Sequence, residues 1–272
     1  MSQVAVAGNL AQDVVDGGPP TPGGCAFFAA DAFRRLRRDG QVLTRFRSED
    51  AELFRPLLGR LGSSVTLLPA ETTSGFSIDY DGEERRMGVT AIGERWRPED
   101  AAALGPGVEW VHVAPLLRSD FPPETLTALA AGRQLSLDGQ GLVRVPSVGP
   151  LAFDAAFDPA VLAPVTALKL SEEEARILAG GAFEAAAATR LGIPEVLVTL
   201  GSHGAVVFAG GRETFVPAAW PVLGVQTTGT GDLFMVAYAV ARVDGLDPVA
   251  AAQEAGRLVA ELLEERKRGS RR

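Results

Sequence analysis

Short β-branched runs alternate with helical stripes along most of the chain. Gln3–Ala7 is a four- or five-residue apolar run that ends at Gly8-Asn9, the pattern of a buried strand that turns sharply. A Pro/Gly-rich connector from Gly17 to Gly24 leads into Cys25–Arg38, where Ala26, Ala29, Phe33 and Leu36 fall at helical spacing. Gln41–Phe46, Glu49–Leu61 and Val65–Leu68 then read as strand, helix and strand. Such β-α-β alternation predicts a parallel sheet covered on both faces.

The rhythm breaks once. Phe76–Tyr80 and Arg85–Ile92 flank Asp81-Gly82, a hairpin turn signal, and their mixed polarity suits a flap outside the main sheet. Alternation resumes with strands at Trp110–Val113, Gln134–Leu137, Val165–Leu170 and Glu195–Leu200. Helices are expected at Pro123–Ala131, Pro159–Leu162, Glu172–Ala179 and Phe183–Leu191. Ala205–Phe208 and Glu213–Val216 form a second hairpin around Gly210-Gly211. A strand-like Pro221–Val225 then precedes helices Gly231–Val243 and Pro248–Glu265. The prediction is one α/β domain over residues 1–265, with a hairpin lid near 75–92 and a basic tail, 266–272.

Composition narrows this little. A formal charge of −8 argues against nucleic acid as the main partner, and the tail reads as a solvated terminus. One cysteine, Cys25, fits a reducing compartment, and no apolar run approaches a membrane span, so a cytoplasmic protein is expected.

The stretch Thr227-Thr228-Gly229-Thr230-Gly231-Asp232 changes the picture. Two glycines sit where a helix begins, and a helix start offers unpaired N–H groups and a positive dipole end to an anion. Asp232 lies in the first helical turn, placed to take a proton from an accepting alcohol. A dinucleotide fingerprint would need a third glycine and a later strand, and neither is present. No G-x-x-x-x-G-K-[ST] occurs. The two histidines, His112 and His203, and the single cysteine cannot assemble a triad or a zinc cluster. Ser171 and Glu174 read either as a helix capping box or as a site beside a metal-bound phosphate.

The run Gln226–Phe234 resembles the C-terminal signature of the ribokinase-like (PfkB) carbohydrate kinases, Asp-Thr-x-Gly-Ala-Gly-Asp-x-Phe. Asn9 and Asp13 resemble that family's N-terminal substrate segment, Gly23-Gly24 its di-glycine, and Leu168–Glu174 its N-x-x-E segment. Val198–Gly204 is similar to its nucleotide-side strand and turn.

The resemblance implies a three-layer α/β/α sandwich with a small β lid, and ATP- and Mg²⁺-dependent phosphorylation of a sugar, cyclitol or nucleoside hydroxyl. It implies that Asp232 is the catalytic base and that Gly229, Thr230 and Gly231 form the anion hole. Asn9, Asp13, Gly23, Gly24, Phe28 and Phe76 would face the acceptor. Thr199, Gly201, Gly204 and Thr228 would face the nucleotide, and Glu174 the metal. Three positions depart from the pattern. Gln226 replaces an Asp that helps order a monovalent-cation site, Ser171 replaces an Asn, and Phe28 stands where many sugar kinases carry a substrate-binding Asn. The alternative is a catalytically impaired ligand-binding or regulatory protein on the same fold. A homodimer paired through the flap is left open.

Overall fold

The computed structural model describes residues 3–61, 65–81 and 84–269. The first crossover units are β1 (Val4–Ala7), β2 (Ala11–Val15), β3 (Thr21–Gly23), α1 (Cys25–Leu36), β4 (Gly40–Arg45), α2 (Ala51–Leu61) and β5 (Val65–Leu68). Next come β6 (Ser74–Asp81), β7 (Glu84–Ala91), β8 (Trp110–Val113), α3 (Pro123–Ala130), β9 (Gln134–Asp138), α4 (Gln140–Val143) and β10 (Gly149–Pro150). The C-terminal part holds β11 (Ala167–Ser171), α5 (Glu172–Ala179), α6 (Ala185–Leu191), β12 (Glu195–Thr199), β13 (Gly204–Ala209), β14 (Arg212–Pro217), α7 (Thr230–Val243) and α8 (Pro248–Gly269).

Nine strands form the main sheet in the order β14-β13-β12-β11-β9-β8-β1-β4-β5. All neighbours pair in parallel except the β12-β13-β14 meander at one edge. The strands β1 and β8 are buried along their whole length, as a sheet covered on both faces requires. One apolar cluster joins α1, α7 and α8 to one face, and a second, around Phe121, Leu126, Leu135 and Leu168, covers the other. The mostly parallel α/β/α sandwich expected from the alternation is therefore present.

Three local expectations change. The lid is larger than a hairpin: β6 and β7 are the middle of a five-stranded sheet, order β10-β7-β6-β2-β3. Its three extra strands are Ala11–Val15, which carries two polar residues, the three-residue Thr21–Gly23 and the two-residue Gly149–Pro150, all too polar or too short to announce themselves. Gly82, in the expected turn, lies outside the described residues. Pro221–Val225 is irregular rather than a strand: it forms the wall of a cavity and pairs with no strand among the described residues. Lastly, α8 continues to Gly269, so Arg266 belongs to a helix and not to a free tail; Ser270–Arg272 lie outside the described residues. Among the described residues no helix is long and apolar enough to cross a membrane.

Candidate active site

Helix α7 is apolar on every face from Leu233 to Ala241 and is buried on every face. That burial fixes its N-terminus beneath the sheet's C-terminal edge, with Gly229 as N-cap at φ +79°. A side chain is strained there, and a Cβ on Gly229 would lie 2.1 Å from Cδ1 of Phe28. Phe28 on α1 thus presses its ring against the loop and shapes it.

The loop separates two cavities. A cavity of about 640 Å³ is lined on the loop side by Thr227, Thr230 and Gly231, and opposite by Thr199, Gly201 and Gly204. Its remaining walls are largely apolar, including Trp220, Val222, Phe234 and Leu263. A second cavity of about 480 Å³ is bounded by Asp13, Phe28, Ile78, Tyr80, Thr228 and Arg266. Gly224 and Val225 border both, so residues 224–231 are a partition between them. Thr228, expected on the nucleotide side, lines the second cavity instead, and Thr227 takes the first.

Asp232, in the first turn of α7, is buried and lines neither cavity, and its Oδ1 has no hydrogen-bond partner among the described residues. Burial, and then the negative charge of Asp138, push its carboxyl up to about 6, opposed by a hydrogen bond from the Cys25 thiol and by Lys169. An ionised but poorly solvated carboxylate with a free oxygen is a competent proton acceptor near neutral pH. The three residues expected to form an anion hole are not alike. The Thr230 N–H is spent on the Thr227 carbonyl at 3.1 Å, whereas Gly229 and Gly231 form no such bond among the described residues.

Below the loop lies a charged layer that the local sequence did not reveal. Lys169 on β11 stands opposite Asp138 on β9 in the parallel register, and its Nζ is 2.9 Å from Asp138 Oδ2. Burial opposes the Lys169 charge, but Asp138 and Glu174 hold the group well above its ordinary value. Lys169 in turn draws Asp138 below the usual carboxylate range against the effect of burial. The available signal was a charged residue among the leucines of each of two strands, ALKLS and QLSLD.

Ser171 and Glu174 form the capping box: Ser171 Oγ accepts from Glu174 N at 3.2 Å, and Glu174 Oε2 accepts from Ser171 N at 2.8 Å. Glu174 is buried and lines neither cavity, while burial raises its carboxyl. Among the described residues no three His, Cys, Asp or Glu side chains converge to hold a metal. Asn9 uses its Oδ1 for Trp96 Nε1 (2.7 Å) and its Nδ2 for the Glu94 carbonyl (3.2 Å), and it lines neither cavity. Phe76, at the start of β6, packs into the core, leaving Ile78 and Tyr80 to face the cavity. Gly24, at φ +94°, lies with its Cα against the Asn9 carbonyl, and the Asp13 carboxylate packs on Gly23. His112 is a core residue bonded to Ser136, and burial lowers it to about 4.

Arg266 was expected in a solvated tail. Its Nη1 donates to the carbonyls of Gln226 (2.7 Å) and Thr228 (3.0 Å), bracing the partition from α8. Arg266→Ala is expected to lower kcat about tenfold, since a misplacement of about 1 Å near a reacting centre can cost more than that. Steady-state kinetics with added guanidinium check this, and a variant with unchanged kcat would contradict it.

The description "pfkB family carbohydrate kinase" matches residues 99–267. The chain belongs to that family. It is a ribokinase-family kinase by fold as well: a pyrophosphate-dependent kinase in the ribokinase family, complexed with a pyrophosphate analog and myo-inositol, superposes with a TM-score of 0.79. Identity is 25%, covering 93% of this chain and 92% of that one. Arabidopsis thaliana ribokinase, complexed with ribose and ATP, gives a TM-score of 0.70 at 20% identity, covering 97% and 99%. Burkholderia thailandensis nucleoside kinase, in complex with inosine, gives 0.72 at 20% identity, covering 94% and 89%. In sequence, a ribokinase of Arabidopsis thaliana is 45% identical over 60 residues, a stretch that is 21% of this chain and 15% of that protein.

Proposed function

We propose that this pfkB-family kinase transfers the terminal phosphoryl group of ATP to a hydroxyl of a sugar, cyclitol or nucleoside, with Asp232 as general base. One observation carries the reading: a glycine-bearing helix start forms the partition between two cavities, and the first turn of that helix holds a buried carboxylate with an unpartnered oxygen. The acceptor enters the cavity bounded by Asp13, Phe28 and the lid, and its hydroxyl gives up a proton to Asp232. Donor phosphates meet the free amides of Gly229 and Gly231 and the positive end of α7. Little covalent help is needed, because phosphoryl transfer depends on positioning and on charge neutralisation. Magnesium bound to the donor would supply part of that neutralisation. Phe28 gives the acceptor cavity an apolar wall, which favours a cyclitol or nucleoside face over a hydroxyl-rich one.

The apolar walls at Trp220, Val222, Phe234 and Leu263 support a donor with a base, which such surfaces would bury. A second reading has its own support: the relative superposing at 0.79 is described as pyrophosphate-dependent. Assaying product with ATP or pyrophosphate as donor, against ribose, myo-inositol and inosine, separates them. Turnover with ATP is expected. Turnover with pyrophosphate alone selects the second reading. No turnover with either donor, together with a thermal shift by an acceptor, selects the non-catalytic ligand-binding alternative.

A further inference from the structure

Lys169 is 7% exposed in its side chain, and Asp138 is fully buried against it. A buried ion pair by itself seldom stabilises a fold relative to apolar packing. The flanking Leu168 and Leu170 show that this strand otherwise accepts apolar residues. Asp138 satisfies one of the three ammonium N–H groups, and the described residues offer no other hydrogen bond to it. The ammonium points at the phosphate loop: a Cβ on Gly231 would lie 3.1 Å from Lys169 Nζ and 3.4 Å from its Cε. Gly231 also lines the larger cavity, so only a residue without a side chain separates that cavity from the charge. Nζ also stands beside the positive end of α7, where the carboxylates of Asp138, Glu174 and Asp232 hold its charge. A second buried group remains unpaired at the same place, Oδ1 of Asp232.

We propose that Lys169 is a further charge-stabilising residue of the reaction, its ammonium reaching past Gly231 to an oxygen of the transferring phosphoryl group. This rests on the kinase reading. The group acts as a fixed cation and forms no bond: the phosphoryl moves from donor to acceptor oxygen, the hydroxyl proton goes to Asp232, and Lys169 keeps its own protons. Asp138 orients it, and the approach opened by Gly231 explains why this position, unlike Gly229, has an unstrained backbone yet no side chain.

The test uses Lys169→Met, of similar length and no charge, and the double variant Asp138→Asn/Lys169→Met, which removes both charges and leaves no uncompensated buried carboxylate. Asn at 138 can still accept from the Gln140 N–H, as Asp138 Oδ1 does at 3.2 Å. Both variants are expected to lose about 100-fold in kcat, the usual cost of one donor to a transition-state anion, with KM for the acceptor unchanged. Calorimetric titration with pyrophosphate alone, without acceptor, should show affinity at least tenfold weaker than in the unmodified protein. Where Lys169→Met loses its cooperative melt, the double variant decides. Recovery of transfer in the double variant would assign Lys169 a structural role only and overturn the proposal. Equal pyrophosphate affinity in all three proteins would also overturn it. If the unmodified protein phosphorylates nothing, the kinase reading fails, and the titration still decides whether Lys169 binds the anion.

Discussion

Asp232→Asn is expected to abolish phosphoryl transfer and, at the same time, to make the protein harder to melt above pH 6. The first effect follows from removing, in the first turn of α7, a carboxylate whose Oδ1 has no partner among the described residues. The second follows from linkage. In the folded protein the Asp232 carboxyl is raised from 3.8 to about 6, first by burial and then by Asp138, so the fold prefers its neutral form. Its contribution to stability is fully present below the unfolded value and is lost as pH rises through about 6. A shift of roughly two units corresponds to about 3 kcal/mol, which the amide does not incur. The variant should therefore melt several degrees higher at pH 8 and equal the unmodified protein at pH 4. Asp120, also raised to about 6 by burial, contributes equally to both proteins and cancels in the difference. In the unmodified protein kcat/KM should climb to a plateau above about pH 6. Measured turnover in the variant, or a lower melting temperature at pH 8, would refute the assignment of Asp232.

The next largest effect is expected at Gly229→Ala. Its φ of +79° costs a substituted residue about 1–2 kcal/mol. The heavier consequence is steric, because the new methyl would meet the Phe28 ring at 2.1 Å. Either α1 or the loop must move, and α1 is packed into the core through Ala26, Ala29 and Phe33. The amides that meet the donor would be displaced, with a loss of 100-fold or more in kcat. Phe28→Ala in the same chain relieves the collision but not the backbone strain. The double variant should thus regain part of the loss, and a double-mutant cycle gives the coupling between the two residues. Additive losses would show that Phe28 does not shape the loop.

Both predictions concern residues that the sequence marks locally. A glycine pair and an acid at the head of an apolar helix are contiguous, and so were legible without coordinates. The order of crossover units was legible for the same reason, since each strand and helix carries its own period. What stayed hidden is contact between segments far apart in sequence. Lys169 and Asp138 are 31 residues apart and meet only because β11 and β9 align in parallel register. Arg266 reaches the loop 38 to 40 residues upstream, and its basic neighbours made it look like solvent-facing chain. The polar β2 and the three-residue β3 become strands only because β6 offers an edge, on which residues 11–15 pair with 74–78. Glu174 shows the opposite case, where a capping role written in four consecutive residues was realised as written.

Asn9 bears on how the lid can move. It lies in the short link by which the chain leaves the main sheet and enters the lid, and its amide grips Glu94 and Trp96, just past the point where β7 ends. One side chain thus rivets an outgoing strand to a returning one. A plate fastened in this way is expected to swing as a unit about its fixing, carrying with it Ile78 and Tyr80, which line the second cavity.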